Sequence, residues 1–264
     1  MTFWLLYLAT GAFAGVLAGL LGVGGGLIIV PLLSFIFTAQ HLPAPFILHL
    51  ALGTSLASIM FTSVSSLRAH HSRGAVNWQV VKGISIGILT GTFCGSWVAA
   101  QLSTGFLRAF FVAFLYYVAL QMLLNIRPKP SRQVPGSSGL FGVGNVIGGV
   151  SSLVGIGGGS LSVPFLVWCN LSMHNAVGTS AAIGFPIAVA GAVGYTLNGL
   201  AVPDLPSGSL GFVYLPALAG IALASICTAP LGARLAHSLP VTRLKKAFAL
   251  LLLLMGTKML AGLL

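Results

Sequence analysis

The hydrophobic positions of this chain form long apolar runs, separated by short polar or glycine-rich interruptions. A membrane-crossing helix needs about 20 predominantly apolar residues, and an apolar run of about 10 to 14 marks an interrupted or re-entrant segment instead. On that scale the first half predicts helices over 3–21, 46–67, 80–100 and 106–124, with a short apolar segment at 27–38 behind a glycine-rich break at 22–26. The second half follows the same plan: helices over 139–154, 174–197, 210–235 and 242–264, and a short segment at 160–170 behind a break at 155–159. No strand pattern competes, so the expected fold class is an all-α polytopic membrane protein with glycine-broken helices.

Composition agrees with the pattern. Of 264 residues, 57% are hydrophobic and 5% charged, against about 25% charged in a soluble domain, so a water-facing surface cannot be built. The 35 glycines show no collagen-like period and in an apolar chain point to close helix packing. Twelve Lys and Arg face a single acid, Asp204. In a soluble protein that imbalance would suggest a nucleic-acid partner; here the basic residues lie between apolar runs, where retention on the cytoplasmic side accounts for them, and no nucleic-acid partner is expected. Cys94, Cys169 and Cys227 lie in apolar runs without a C-x-x-C spacing, which indicates neither a metal site nor a disulfide framework. No cofactor is expected. The N-terminal run MTFWLLYLATGAFAGVLAGL lacks a positive leading region and reads as the first membrane helix rather than a signal peptide.

The stretch RPKPSRQVPGSSG at 127–139 is rich in Pro, Ser and basic residues and reads as a solvated linker. It divides the chain into a first membrane repeat (1–126), a cytoplasmic linker (127–138) and a second membrane repeat (139–264). Across it the sequence repeats itself. GLLGVGGGLIIVPLL (19–33) matches SLVGIGGGSLSVPFL (152–166), and HLALGTS (49–55) matches HNAVGTS (174–180). Loop charges then fix an orientation. Arg68, Arg73 and Lys82, the linker's Arg127, Lys129 and Arg132, and Arg234, Arg243, Lys245 and Lys246 can all face the cytoplasm, which accommodates ten of the twelve basic residues in accordance with the positive-inside rule. Equivalent loops of the two halves thereby fall on opposite sides. The expected architecture is two inverted-topology repeats of about five transmembrane segments each, a transporter signature, with both termini outside. Three crossings plus a re-entrant hairpin at each glycine motif would satisfy the same parity.

Several adjacent glycines free the backbone from helical geometry, and unwound backbone at bilayer depth is tolerated only where protein or a water-filled cavity satisfies its polar groups. The half-helix that follows would aim its N-terminal N–H groups into such a cavity, an arrangement suited to an anion. Gly24, Gly25, Gly26, Gly157, Gly158 and Gly159 are therefore candidate substrate-binding positions. Gly11, Gly15 and Gly19, and Gly83, Gly87, Gly91 and Gly95, recur at four-residue spacing and read as packing ridges. The second motif adds His49, Thr54, Ser55, His174, Asn175, Thr179 and Ser180, whose hydroxyl, amide and imidazole groups can hydrogen-bond an oxyanion without a fixed charge. Cation transport or a carboxylate relay normally needs an intramembrane Asp or Glu; Asp204 lies in an expected external loop, so the substrate expected is a small anion. If protons are the coupling ion, His49 or His174 is the available carrier. Lys258, deep in the last apolar run, is expected to snorkel to the membrane surface.

The paired glycine motifs with their prolines, Pro31 and Pro164, the doubled H-x-x-x-G-T-S and the two-half layout resemble the TauE/SafE sulfite exporter family, also described as the 4-toluene sulfonate uptake permease family. The resemblance covers nearly the whole chain. It implies a bacterial inner-membrane carrier, not an enzyme, for sulfur-containing oxyanions such as sulfite, sulfoacetate or other organosulfonates. The family includes both importers and exporters. A passive anion channel is the nearer alternative. A membrane-embedded enzyme pairing a cysteine with a histidine is the further one, and the sequence offers no paired spacing for it. No catalytic residue is assigned.

Overall fold

The computed structural model describes residues 2–21, 25–124, 129–235 and 241–262. The chain is almost wholly helical. The first half contains α1 (Thr2–Leu21), α2 (Gly26–Ala39), a single 3-10 turn (Ala44–Phe46), α3 (Ile47–His71), α4 (Trp78–Gln101) and α5 (Thr104–Leu123). The second contains α6 (Ser137–Val154), α7 (Gly159–Trp168), α8 (Met173–Gly199), a short hairpin of β1 (Ser209–Leu210) and β2 (Val213–Tyr214), α9 (Leu215–Leu235) and α10 (Val241–Ala261). Among the described residues, seven helical stretches, in α1, α3, α4, α5, α6, α8 and α9, are long and apolar enough to cross a bilayer. The chain is a membrane protein. The two segments that follow the glycine motifs, α2 with 14 residues and α7 with 10, are shorter.

These bounds follow the apolar runs closely, with two corrections. The expected helix over 210–235 begins only at Leu215, because 209–214 form an antiparallel hairpin, Ser209 opposite Tyr214 and Leu210 opposite Val213. Its turn is Gly211–Phe212, with Gly211 at φ 55. A two-residue hairpin turn needs positive φ at its first central residue, which glycine adopts without a Cβ clash, so one glycine overrides an otherwise helix-compatible apolar run. The expected linker is also shorter than its composition suggests, since α6 already starts at Ser137. Within it, the N–H groups of Ser131 and Arg132 donate to the carbonyl of Trp168, both at 3.2 Å, at the end of α7.

The halves interlock. The first helix of each packs on the fourth of the other, α1 on α9 and α6 on α4. Both contacts are made along glycine ridges. A side chain at Gly11 would overlap the backbone of Ile221, and one at Gly15 the backbone of Ser225; Gly87 and Gly91 stand in the same relation to Phe141 and Asn145. Such small-residue stripes let helix backbones approach closely where lipid supplies no hydrophobic drive. At the centre lie α3 and α8, with 72% and 67% of their membrane-length windows buried, against at most 44% for any other candidate span. They run antiparallel: Gly53 lies against Tyr195, Leu56 against Gly191 and Ser63 against Gly184. Large apolar side chains such as Ile86, Trp97, Val146 and Leu223 are exposed on the outer helices, as the lipid-facing surface of a membrane bundle requires.

Candidate functional site

Where both are described, the two glycine motifs take the same local form. Gly25 precedes α2 and Gly158 precedes α7, each with φ 75, and Gly155 ends α6 with φ 67. An L-residue in this left-handed region costs roughly 1–2 kcal/mol, which is the local reason for glycine at these three positions. The motifs also meet in space: a Cβ at Gly26 would overlap the carbonyl of Gly155 and the backbone of Ile156. Gly157 turns its carbonyl towards Gly184 on α8, and Gly159 is the buried first residue of α7. Gly24 lies outside the described residues.

The paired H-x-x-x-G-T-S motifs hold the incoming ends of α4 and α9. Thr54 Oγ1 accepts the backbone N–H of Tyr214 at 2.9 Å, while Gly53 lets the Phe212 carbonyl approach α3. In the other half Thr179 Oγ1 accepts the N–H of Asn77 at 2.9 Å, and Gly178 lets in the Ala75 carbonyl. One residue further on, the serines reach the glycine break and the short helix: Ser55 Oγ donates to the Gly155 carbonyl at 2.8 Å, and Ser180 Oγ is 2.8 Å from Ser162 Oγ, which in turn donates to Gly158 O at 2.9 Å.

The histidines sit apart from these serines. His49 is buried at the start of α3, with Nε2 3.2 Å from the Ala99 carbonyl, Nδ1 3.5 Å from Thr104 Oγ1, and its ring 5.1 Å from that of Phe212. His174 and Asn175 are exposed in the first turn of α8. Lys258 is exposed on α10, its ammonium 4.6 Å from the Phe35 ring centre, so its charge rests over an aromatic face at the edge of α2.

Beside the second glycine break, where it meets α3 and α8, lies a small cavity of about 10 Å³, on the order of one water molecule. It is lined by Ala18, Ile59, Thr62, Ser63, Ser66, Gly157, Ser180, Ala181 and Gly184. Four hydroxyls and one glycine of the break therefore converge on it, and among the described residues no charged side chain lines it. Thr62 Oγ1 lies 2.8 Å from Ser225 Oγ on α9, and Ser63 Oγ donates to Met60 O at 3.0 Å. Ser66 Oγ is buried without a hydrogen-bond partner among the described residues, and so are Ser151 Oγ in α6 and Ser160 Oγ in α7. A buried hydroxyl left unpaired costs roughly 1–3 kcal/mol; of these three, Ser66 lines the cavity.

Of the residues expected from the sequence, Gly157 and Ser180 line this cavity; Ser55 instead bonds the Gly155 carbonyl, and Gly158 accepts from Ser162. Thr62, Ser63, Ser66 and Ser151 lie outside the repeated motifs, and Ser160 stands at a position of the glycine motif that the other copy fills with Leu27. The run Phe61–Ser66, with four hydroxyl residues in six positions, was the signal that could have found three of them. Among the described residues no cluster of three His, Cys, Asp or Glu side chains could hold a metal ion.

Broken half-helices meeting at the centre of an interlocked helical bundle define a polytopic membrane transporter. The sequence profile of the sulfite exporter TauE/SafE family matches residues 7–259, and the chain belongs to that family. It is 38% identical to a probable membrane transporter protein of Haemophilus influenzae over 98% of both chains. It is 27% identical to the probable membrane transporter protein YdhB of Bacillus subtilis, over 89% of this chain and 91% of that one. The probable membrane transporter protein MJ0441 of Methanocaldococcus jannaschii is also 27% identical, over 97% of this chain and 94% of the other. No solved structure matches.

Proposed function

We propose that the protein is a secondary carrier of small sulfur-containing oxyanions, with sulfite as the first candidate, and that the substrate binds at the hydroxyl-lined cavity beside the second glycine break. The observation that carries this reading is the convergence of Thr62, Ser63, Ser66 and Ser180 with Gly157 on one uncharged space, with Ser66 Oγ unpaired. Hydroxyl donors and the first N–H groups of α7, which have no partner within the helix, stabilise an anion without a fixed countercharge. Release then requires breaking hydrogen bonds and no tight ion pair. At about 10 Å³ the cavity must widen to admit an oxyanion. The antiparallel contact of α3 with α8, and the crosswise packing of α1 on α9 and of α6 on α4, support two inverted repeats whose rocking exposes the site alternately to each side. The loop charges support a bacterial inner-membrane orientation with both termini outside.

The test is uptake of radiolabelled sulfite, with sulfoacetate and sulfate as competitors, into proteoliposomes of the purified protein, with and without a pH gradient. Saturable sulfite uptake is expected. Ser66→Ala and Ser180→Ala should each lower it by about ten- to a hundredfold, the equivalent of one hydrogen bond to a charged group at 1.5–3 kcal/mol. Saturable uptake unaffected by either change would overturn the site, and a flux that never saturates would favour a channel.

A further inference from the structure

Continuing the register of the H-x-x-x-G-T-S motifs along α3 and α8 sets Ser58, Thr62, Ser63, Ser66 and His70 opposite Ile183, Ile187, Ala188, Gly191 and Tyr195. All ten residues are buried. One central helix thus carries a stripe of hydroxyls, with Ser58, Thr62, Ser66 and the His70 imidazole about one turn apart and Ser63 beside Thr62; the same stripe on its partner is apolar and ends in a phenol.

The space beside the two stripes differs accordingly. Along α3 it is the cavity, with the unpaired Ser66 hydroxyl facing it. At the matching place along α8 the Leu56 side chain fills the position, packed on Gly191. Beyond that, Tyr195 donates its hydroxyl to the Ser152 carbonyl at 2.9 Å. Its ring stands edge-on to Phe212 at 6.5 Å. Phe212 is carried in on the 209–214 hairpin, its N–H bonded to the Tyr195 carbonyl at 3.2 Å, and packs between His49 and Phe46 with ring centres at 5.1 and 6.2 Å. The corresponding connection before α4 holds no hairpin; Ala75 enters at Gly178 and the Asn77 N–H bonds Thr179.

Distance favours the same side. At 1.5 Å per residue, Ser66 lies about 8 Å from the His71 end of α3, whereas Ser63 lies about 15 Å from the Gly53 level at which Phe212 closes the bundle. Water enters a hydroxyl-lined crevice and is excluded from an apolar constriction.

We infer that the substrate passes between the cavity and one face of the membrane along the Ser63, Ser66 and His70 stripe of α3, at the end bearing Arg68, His71 and Arg73, and that the opposite route is shut by Tyr195 and the Phe212 plug. This rests on the cavity being the substrate site proposed above, and by the loop charges the open face is the cytoplasmic one.

The experiment is labelling by the anionic, membrane-impermeant thiol reagent methanethiosulfonate ethylsulfonate. Single cysteines are placed at Ser63→Cys, Ser66→Cys and Ala188→Cys in a background carrying Cys94→Ser, Cys169→Ser and Cys227→Ser, in oriented vesicles, with folding checked by size-exclusion profile. The two α3 cysteines should react at least tenfold faster than Ala188→Cys, and from the Arg73 side. Equal reactivity at all three, no reaction at either α3 cysteine, or reaction from the Asp204 side alone would each overturn the route. Adding Phe212→Ala should make Ala188→Cys reactive from the Asp204 side; unchanged protection would overturn the plug. Sulfite should slow labelling at Ser66→Cys. Failure of that protection alone, with the one-sided pattern intact, counts against sulfite binding in the cavity and not against the route.

Discussion

Thr54 and Thr179 show how much a single hydroxyl can hold inside a bilayer. Each accepts a backbone N–H that has left one helix and not yet entered the next, Tyr214 before α9 and Asn77 before α4. Both threonines are fully buried, so no water can replace them, and a buried N–H without an acceptor costs roughly 1–3 kcal/mol. Thr54→Val and Thr179→Val should therefore each destabilise the detergent-solubilised protein by about that amount, read as a lower midpoint in thermal unfolding. Thr→Ser at either position keeps the acceptor and should lose much less. If valine is tolerated at both sites, these hydrogen bonds are dispensable. The motif glycines next to them matter for the neighbouring contact, the close approach of the Phe212 and Ala75 carbonyls.

At the level of helices, glycine acts in two distinct ways. In the breaks, Gly25, Gly155 and Gly158 adopt positive φ and interrupt the helix; on the ridges, glycine stays helical and makes room for a neighbour. The ridge role predicts that Gly91→Ala, whose methyl would overlap the Asn145 backbone, pushes α4 away from α6 and costs about 1–3 kcal/mol, as overpacking does. Gly142→Ala, on α6 with nothing within 4 Å, is the matched control and should be neutral or slightly stabilising, since alanine is the better helix former. Comparing the yield of monodisperse protein and its unfolding midpoint for the two variants measures the difference. An equal effect at both positions would show that the ridge does not set the helix separation.

For the whole molecule, the crosswise packing of α1 on α9 and of α6 on α4 ties each half to the other, so neither half's outer helices have their glycine ridges covered within that half. If the repeats are inverted, the stretch joining α5 to α6 and the loop before the hairpin lie on opposite sides of the membrane. Gln133→Cys and Ser207→Cys, both exposed, should then label with an impermeant maleimide from opposite faces of oriented vesicles, Gln133→Cys from the inside. Labelling of both from one face would require parallel repeats and would remove the basis for alternating access.

Much of this architecture was legible in the chain itself. Apolar run length located the ten helices among the described residues, because desolvating a peptide backbone in lipid demands continuous helical hydrogen bonding. The 209–214 hairpin was hidden inside an apolar run, since a turn set by Gly211 leaves no polarity signal. The site was only partly legible. Repetition pointed to Ser180, but Thr62, Ser63 and Ser66 belong to one half alone, and what brings them onto the candidate cavity is the antiparallel seating of α8 and the Gly157 turn against α3. Conversely, His49 and His174 share a motif position yet lie in different surroundings, one buried under Phe212 and the other exposed. Local sequence determines where a helix can exist and where it must break; which faces meet, and what space remains between them, depends on contacts between residues a hundred positions apart, such as Ser55 with Gly155.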